Sequence, residues 1–234
     1  MTDPRAAAQA LASAARDRGE PLGWFERLYA GSGGNPDRVP WADLVPNPHL
    51  VAWAERVGLK GRGRPGLVVG CGLGDDAEWL ARRGFAVTAF DIAPTAIAWC
   101  RRRFPDSPVG YQVADLLRPP VSWHGAFEVV VEVYTLQSLP TEVRPQALRS
   151  LGALVAPGGR LFLLARGRDE TDDEGCMPWP LTHAELAAMP LASQSFEDFL
   201  DQTEHPPVRR FRAVWTADPA AATRDRAHSK GTPR

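Results

Sequence analysis

The chain has 234 residues, 44% hydrophobic and 24% charged, the make-up of a soluble globular protein with room for one α/β domain and a real core. A formal net charge of −1 supplies no global field to recruit nucleic acid, and no run is long and apolar enough to span a bilayer, so neither nucleic acid nor membrane is an expected partner. Cys71, Cys100 and Cys176 are too few and too dispersed for a disulfide framework or a zinc site, which points to a reducing, cytoplasmic setting.

Met1 to Gly19 is Ala-rich with interspersed charges and lacks the continuous apolar core of a signal peptide. Ala6 to Arg18 predicts a helix closed by Gly19, and Trp24 to Tyr29 a short aromatic amphipathic one. A loop rich in Gly, Pro and Asn follows from Gly31 to Pro48, then a helix over Leu50 to Val57. From Leu67 onward strands and helices alternate, the signature of a parallel sheet with crossovers. The strands are Leu67 to Val69, Ala86 to Phe90, Val109 to Val113, Phe127 to Val131 and Arg160 to Ala165, the last introduced by the Pro157-Gly158-Gly159 turn. The helices are Asp76 to Arg83, Pro94 to Phe104 and Arg144 to Leu154. Arg101-Arg102-Arg103 reads as the solvated face of a helix. After a looser region come a helix over Leu181 to Met189 and two strands, Ser193 to Leu200 and Val208 to Thr216, joined through His205-Pro206-Pro207. The expected fold is α/β, a Rossmann-like seven-stranded, mostly parallel sheet with a C-terminal antiparallel hairpin and an N-terminal helical cap. Residues 1–60 would form the cap, 61–217 the ligand-binding domain and 218–234 a disordered tail.

The most informative run is Gly70-Cys71-Gly72-Leu73-Gly74-Asp75-Asp76, between the first strand and its helix. Glycines at alternate positions allow a tight turn whose backbone can lie against a ligand. A dinucleotide fingerprint would place its third glycine where Asp75 stands, to admit a diphosphate. Two carboxylates there instead suit a ligand end that carries positive charge. Asp91 ends the second strand about twenty residues on, the spacing at which a carboxylate accepts ribose hydroxyls; it would equally serve as an N-cap for the next helix, and both roles can hold together. Asp115 follows the third strand, where it can accept an adenine amino group while Leu116 packs on the ring; the bland alternative is an ordinary loop aspartate.

The glycine turn, Asp91, Ala114-Asp115-Leu116 and Pro157-Gly158-Gly159 together resemble the class I S-adenosylmethionine (SAM)-dependent methyltransferases, over about Leu67 to Ala165, with the hairpin extending the likeness to Thr216. More narrowly, Gly70-Cys71-Gly72 with Asp76, and Leu139-Pro140 followed by Arg144, look like the thiopurine methyltransferase-like branch. The resemblance implies SAM as cofactor, held by Gly70, Cys71, Gly72, Gly74, Asp76, Asp91, Ile92, Asp115, Leu116 and Glu132. Many class I members carry an acidic residue two positions before the first glycine; here that position is Val68, so the methionine ammonium must rest on backbone carbonyls and on Asp75 or Asp76.

In this class the residues after the fourth strand hold the methyl against its acceptor. Glu132 and Tyr134 are therefore the candidate catalytic residues, with Glu132 to orient or deprotonate the acceptor. Its alternative role is a carboxylate satisfied by backbone N–H groups or by Arg144. Acceptor contacts are expected from Trp24, Trp41, Tyr134, Gln137, Arg144, Arg166 and Trp179, with the tryptophans as an aromatic lid or as plain core. His124, His183 and His205 have no partner at metal-ligand spacing, so no metal is expected. The expected activity is in-line methyl transfer to a small-molecule thiol, hydroxyl or amine by a monomer or homodimer. A SAM-binding regulator or scaffold without chemistry is the alternative. Methylation of nucleic acid would call for an Asn-Pro-Pro-Tyr type signature where this chain has Glu132-Val133-Tyr134-Thr135.

Overall fold

Leu67, Val68 and Val69 are all buried because both faces of their strand are covered, which is why a central parallel strand reads as a continuous apolar run. That strand, β1 (Pro65–Val69), pairs in parallel with β2 (Ala86–Asp91) on one side and β4 (Phe127–Val133) on the other. In this computed structural model, which describes residues 3–220, β3 (Gly110–Val113) and β5 (Val155–Arg166) extend the parallel set. β7 (Val208–Thr216) runs antiparallel between β5 and β6 (Ala192–Asp201), giving the order β3-β2-β1-β4-β5-β7-β6. The expected seven-stranded sheet and terminal antiparallel pair are present.

Alternate side chains enter opposite layers. Leu67 and Val69 join the core under α6 (Arg144–Leu154) and α7 (His183–Ala187). Val68 joins the core under α4 (Asp75–Arg82) and α5 (Pro94–Arg103), to which α3 (Pro48–Arg56) adds Leu50 and Trp53. α1 (Pro4–Asp17) lays Ala8, Ala12 and Ala15 against Trp24 and Leu28 of α2 (Trp24–Gly31). α2 is fixed in turn by Glu26, whose carboxylate accepts the Thr95 N–H at 3.0 Å in the first turn of α5, a helix whose N-cap Ala93 has no side chain to do so.

Boundaries differ from expectation where side chains act beyond their own segment. α3 starts at Pro48, because Asn47 Oδ1 accepts the N–H groups of His49 and Leu50 and proline needs no donor there. β5 starts at Val155, since Gly158 and Gly159 are carried into the sheet by Ala217, which bonds both. α7 is only five residues, opened by a reciprocal Thr182–Glu185 cap. No helix among the described residues is long and apolar enough to cross a membrane. The tail expected to be disordered lies, from residue 221, outside the described residues.

Candidate active site

The strand order reverses between β1 and β4, and ligands of open α/β sheets bind outside the carboxyl ends of the strands at such a point. A cavity of about 500 Å3 opens there, within the range of small-molecule sites. The first glycine of the turn is obligatory: Gly70 has φ +58, and a Cβ would stand 2.3 Å from Thr135 Oγ1. The Gly72 N–H donates to Asp91 Oδ2 at 3.0 Å, and the Ala93 N–H to Oδ1 at 2.9 Å. Asp91 thus braces the turn and the entrance to α5 while lining the cavity. Burial pushes its pKa up to about 6, against the pull of those N–H bonds. Ile92, Asp115 and Leu116 line the same wall, and Asp115 holds its loop by accepting the Leu117 N–H at 2.8 Å.

The other end of the turn is acidic. Asp76 accepts the Asn47 N–H at 2.7 Å, and burial raises its pKa to about 6. Asp75 is paired through both oxygens with Arg103, at 2.8 and 2.9 Å. Asp43, from the loop before α3, joins them on the cavity wall and has neither hydrogen bond nor ion pair among the described residues. Burial first, then Glu204 and Asp75, raise its pKa. Composition held no cue to Asp43, which reaches the turn from more than thirty residues upstream. Tyr29 and Trp41 close the turn from above. The Trp41 Nε1 donates to the Tyr29 hydroxyl at 2.9 Å, and a Cβ on Gly72 would lie 3.3 Å from that hydroxyl.

On the β4–β5 side stand Tyr134, Gln137 and Arg166, all lining the cavity. Tyr134 has φ +64, a conformation non-glycine residues rarely take. Its ring lies under Arg210 at 4.9 Å, and burial raises its phenol to about 12, so it is protonated at neutral pH. Gln137 Oε1 accepts the Arg166 N–H at 2.6 Å. Arg210, which the sequence did not single out, pairs with Asp201 at 2.7 Å and with Glu204.

Five expected site residues lie elsewhere. Glu132 is 0% exposed and off the cavity; its Oε1 accepts the N–H groups of Thr135 and Leu136 at 2.6 and 2.9 Å, and Oε2 has no partner among the described residues. It caps the turn after β4, so neither a catalytic nor a cofactor role fits. Arg144 is 1% exposed and spends its donors on Leu139 O, Glu185 and Trp179 O. Trp24 and Trp179 pack against α1 in a core cluster rather than over an acceptor. Gly74 turns away from the cavity with φ +94, its missing Cβ making room for the Tyr111 hydroxyl at 2.5 Å.

SAM fits the remaining residues: the glycine cradle would seat its backbone-facing edge, Asp91 and Asp115 its nucleoside, and the acidic corner its ammonium. Among the described residues the cation at the turn itself, Arg103, is already paired with Asp75, so the turn is poorly suited to a diphosphate. Against known proteins, residues 67–159 match the family described as Methyltransferase domain. The ubiquinone biosynthesis O-methyltransferase of Pseudomonas paraeruginosa is 33% identical over 137 residues, 58% of this chain and 53% of that protein. That of Xanthomonas euvesicatoria pv. vesicatoria is 31% identical over 143 residues, 59% and 57%. The chain thus spans about half the length of these curated relatives. Among solved structures, one described as "Conversion of a Disulfide Bond into a Thioacetal Group during Echinomycin Biosynthesis" superimposes with TM-score 0.70 at 22% identity, over 91% of this chain and 99% of that one. N-methyltransferase NodS from Bradyrhizobium japonicum WM9, in complex with S-adenosyl-L-homocysteine (SAH), gives TM-score 0.62 at 20% identity, over 82% and 97%. Residues 67–159 thus resemble a methyltransferase domain, and the solved structures share the fold of this chain.

Proposed function

We propose that the protein transfers a methyl group from SAM to a small-molecule nucleophile: a thiol, hydroxyl or amine. The observation that carries this is the single cavity joining the glycine turn, Asp91 and Asp115 to Tyr134, Gln137 and Arg166. Bound there, SAM would supply an electrophilic methyl on its sulfonium. Asp91 would accept from the ribose, Asp115 from the adenine amino group, and Asp43 with Asp76 would face the ammonium, in place of the acidic residue that Val68 replaces. Tyr134 and Gln137 would position the acceptor under Trp41. Holding two reactants in line in this way is worth about 7–11 kcal/mol.

No histidine or lysine lines the cavity among the described residues, Glu132 is turned away, and Tyr134 stays protonated. This favours an acceptor that arrives as a nucleophile, such as a thiolate, over one that needs a base. The narrower likeness to the thiopurine methyltransferase branch is supported by Gly70-Cys71-Gly72 with Asp76; Arg144 holds structure instead. The three free thiols support a reducing, cytoplasmic compartment. The test is calorimetric titration with SAM, then SAH release measured with a panel of thiols, phenols and amines. Tight SAM binding with release from at least one acceptor is expected; SAM binding with silence across the panel would favour a regulator instead.

A further inference from the structure

Arg166 ends β5 opposite Arg210 of β7 and lines the cavity. Its backbone N–H is satisfied by Gln137, but its guanidinium has neither hydrogen bond nor ion pair among the described residues. The carboxylate that acts on it, Glu204, is already paired with Arg210, and Arg210 is held a second time by Asp201. Burial first, and the charges of Arg5 and Arg210 next, weaken its hold on its proton. A half-buried cation in this position is stabilised by a ligand that brings the missing negative charge.

Position decides which ligand. β5 is two strands from β1 across the sheet, about 9–10 Å at the usual strand spacing. The nucleoside positions, Asp91 and Asp115, lie on the opposite side of β1, and the acidic corner flanks the turn itself. Arg166 instead shares its side of the cavity with Tyr134 and Gln137, and with the apolar Met177, whose carbonyl is tied to α1 by Gln9. One unpaired guanidinium balances one negative charge, so its fork is matched in both geometry and charge by a monoanionic carboxylate, whereas a phosphate dianion would bring a second charge. We infer that the methyl acceptor is a carboxylate-bearing molecule with an otherwise apolar body, its carboxylate seated on Arg166 while exposed Arg5 draws it to the mouth of the cavity. This rests on the methyl-transfer reading.

The test uses matched probes that differ only in the carboxylate: 4-mercaptobenzoate against thiophenol, 4-hydroxybenzoate against phenol, and 4-aminobenzoate against aniline. Each is titrated into the SAH-loaded full chain. At least one carboxylated member should bind about 10- to 100-fold more tightly than its neutral partner, the span of a charge-assisted hydrogen bond. Arg166→Gln should erase that preference and Arg166→Lys should reduce it, with SAH affinity in both variants close to wild type, which also reports that they fold. No preference in any pair, through equal binding or none, overturns the carboxylate. Loss of SAH affinity in Arg166→Gln with the pair preference intact also overturns it, since the guanidinium would then hold the cofactor. Wild-type protein that binds neither SAM nor SAH would bring down the methyl-transfer reading, and this inference with it.

Discussion

Asp91 combines two duties that pull its proton affinity in opposite directions. Burial favours the neutral acid, whereas the Gly72 and Ala93 N–H groups favour the carboxylate. Asp91→Asn keeps the shape but removes the charge from both the turn and the proposed ribose position. It should weaken SAM binding by about 1.5–3 kcal/mol, the worth of a charge-assisted hydrogen bond; unchanged affinity by calorimetry would remove Asp91 from the cofactor site. Tyr134 shows a different economy, since a non-glycine residue in the left-handed region costs about 1–3 kcal/mol. Its N–H bond to Leu164 O at 2.9 Å and the Arg210 guanidinium over its ring hold it there. At this scale the sequence was informative only where a residue stood beside a motif. Asp91, Asp115 and Tyr134 flank recognisable strand ends and do reach the cavity, whereas Asp43, Tyr29 and Arg210 arrive through contacts that no spacing announces.

The turn after β1 and the turn after β4 are built against each other. Thr135 Oγ1 donates to Val69 O at 3.2 Å, in the space that a Cβ on Gly70 would take. Gly70→Ala therefore meets both a clash and a positive φ, and should lower stability by roughly 1–3 kcal/mol and weaken SAM binding; a urea melt coincident with wild type would refute the fit of the two turns. Glu132 anchors the second turn from below, and burial lifts its pKa from 4.5 to about 7. Because folding raises its proton affinity, its contribution to stability is complete below about pH 4.5 and is lost as pH rises through about 7. Glu132→Gln cannot titrate, so the fall of melting temperature across that window should be shallower than in wild type, with Asp91 and Asp76 supplying what remains. Parallel pH profiles for the two proteins would show that Glu132 does not titrate there. Elements were well legible: the continuous apolar run Leu67 to Val69 and the proline openings of α5 and α6 are local features. Their exact ends were less so, since Asn47 and Ala217 extend α3 and β5 from outside the expected segments.

Across the whole molecule, Asp201 ties the terminal hairpin to the rest. It accepts from Arg210 at 2.7 Å, lies 3.0 Å from His49 Nε2 of α3, and accepts from the Thr203 hydroxyl at 2.6 Å. These partners outweigh burial and hold its carboxyl well below the usual range. Its stabilisation is therefore present at neutral pH and is lost only on strong acidification. Asp201→Asn leaves the Arg210 charge buried at 4% exposure with only Glu204 to balance it. The expected cost is about 3–5 kcal/mol in chemical denaturation, as for other broken buried pairs. Loss of less than about 1 kcal/mol would show that Glu204 and solvent suffice. Since Arg210 also covers Tyr134, the same change should disturb acceptor binding more than SAM binding.

The α/β class, the alternating order of strands and helices and the place of the glycine turn are all contained in local patterns: apolar periodicity, proline and glycine positions, and the distance from Gly70 to Asp91. These follow from short-range geometry, so the sequence alone determined them. Which polar side chains serve the cavity was decided only by the tertiary structure. Glu132 and Arg144 carry the same chemistry as Asp91 and Arg166, but a carboxylate or guanidinium is useful to a ligand only if the fold has left it a free face. That depends on partners such as Glu185, 41 residues away, or Arg210, which meets Tyr134 from the far end of the chain.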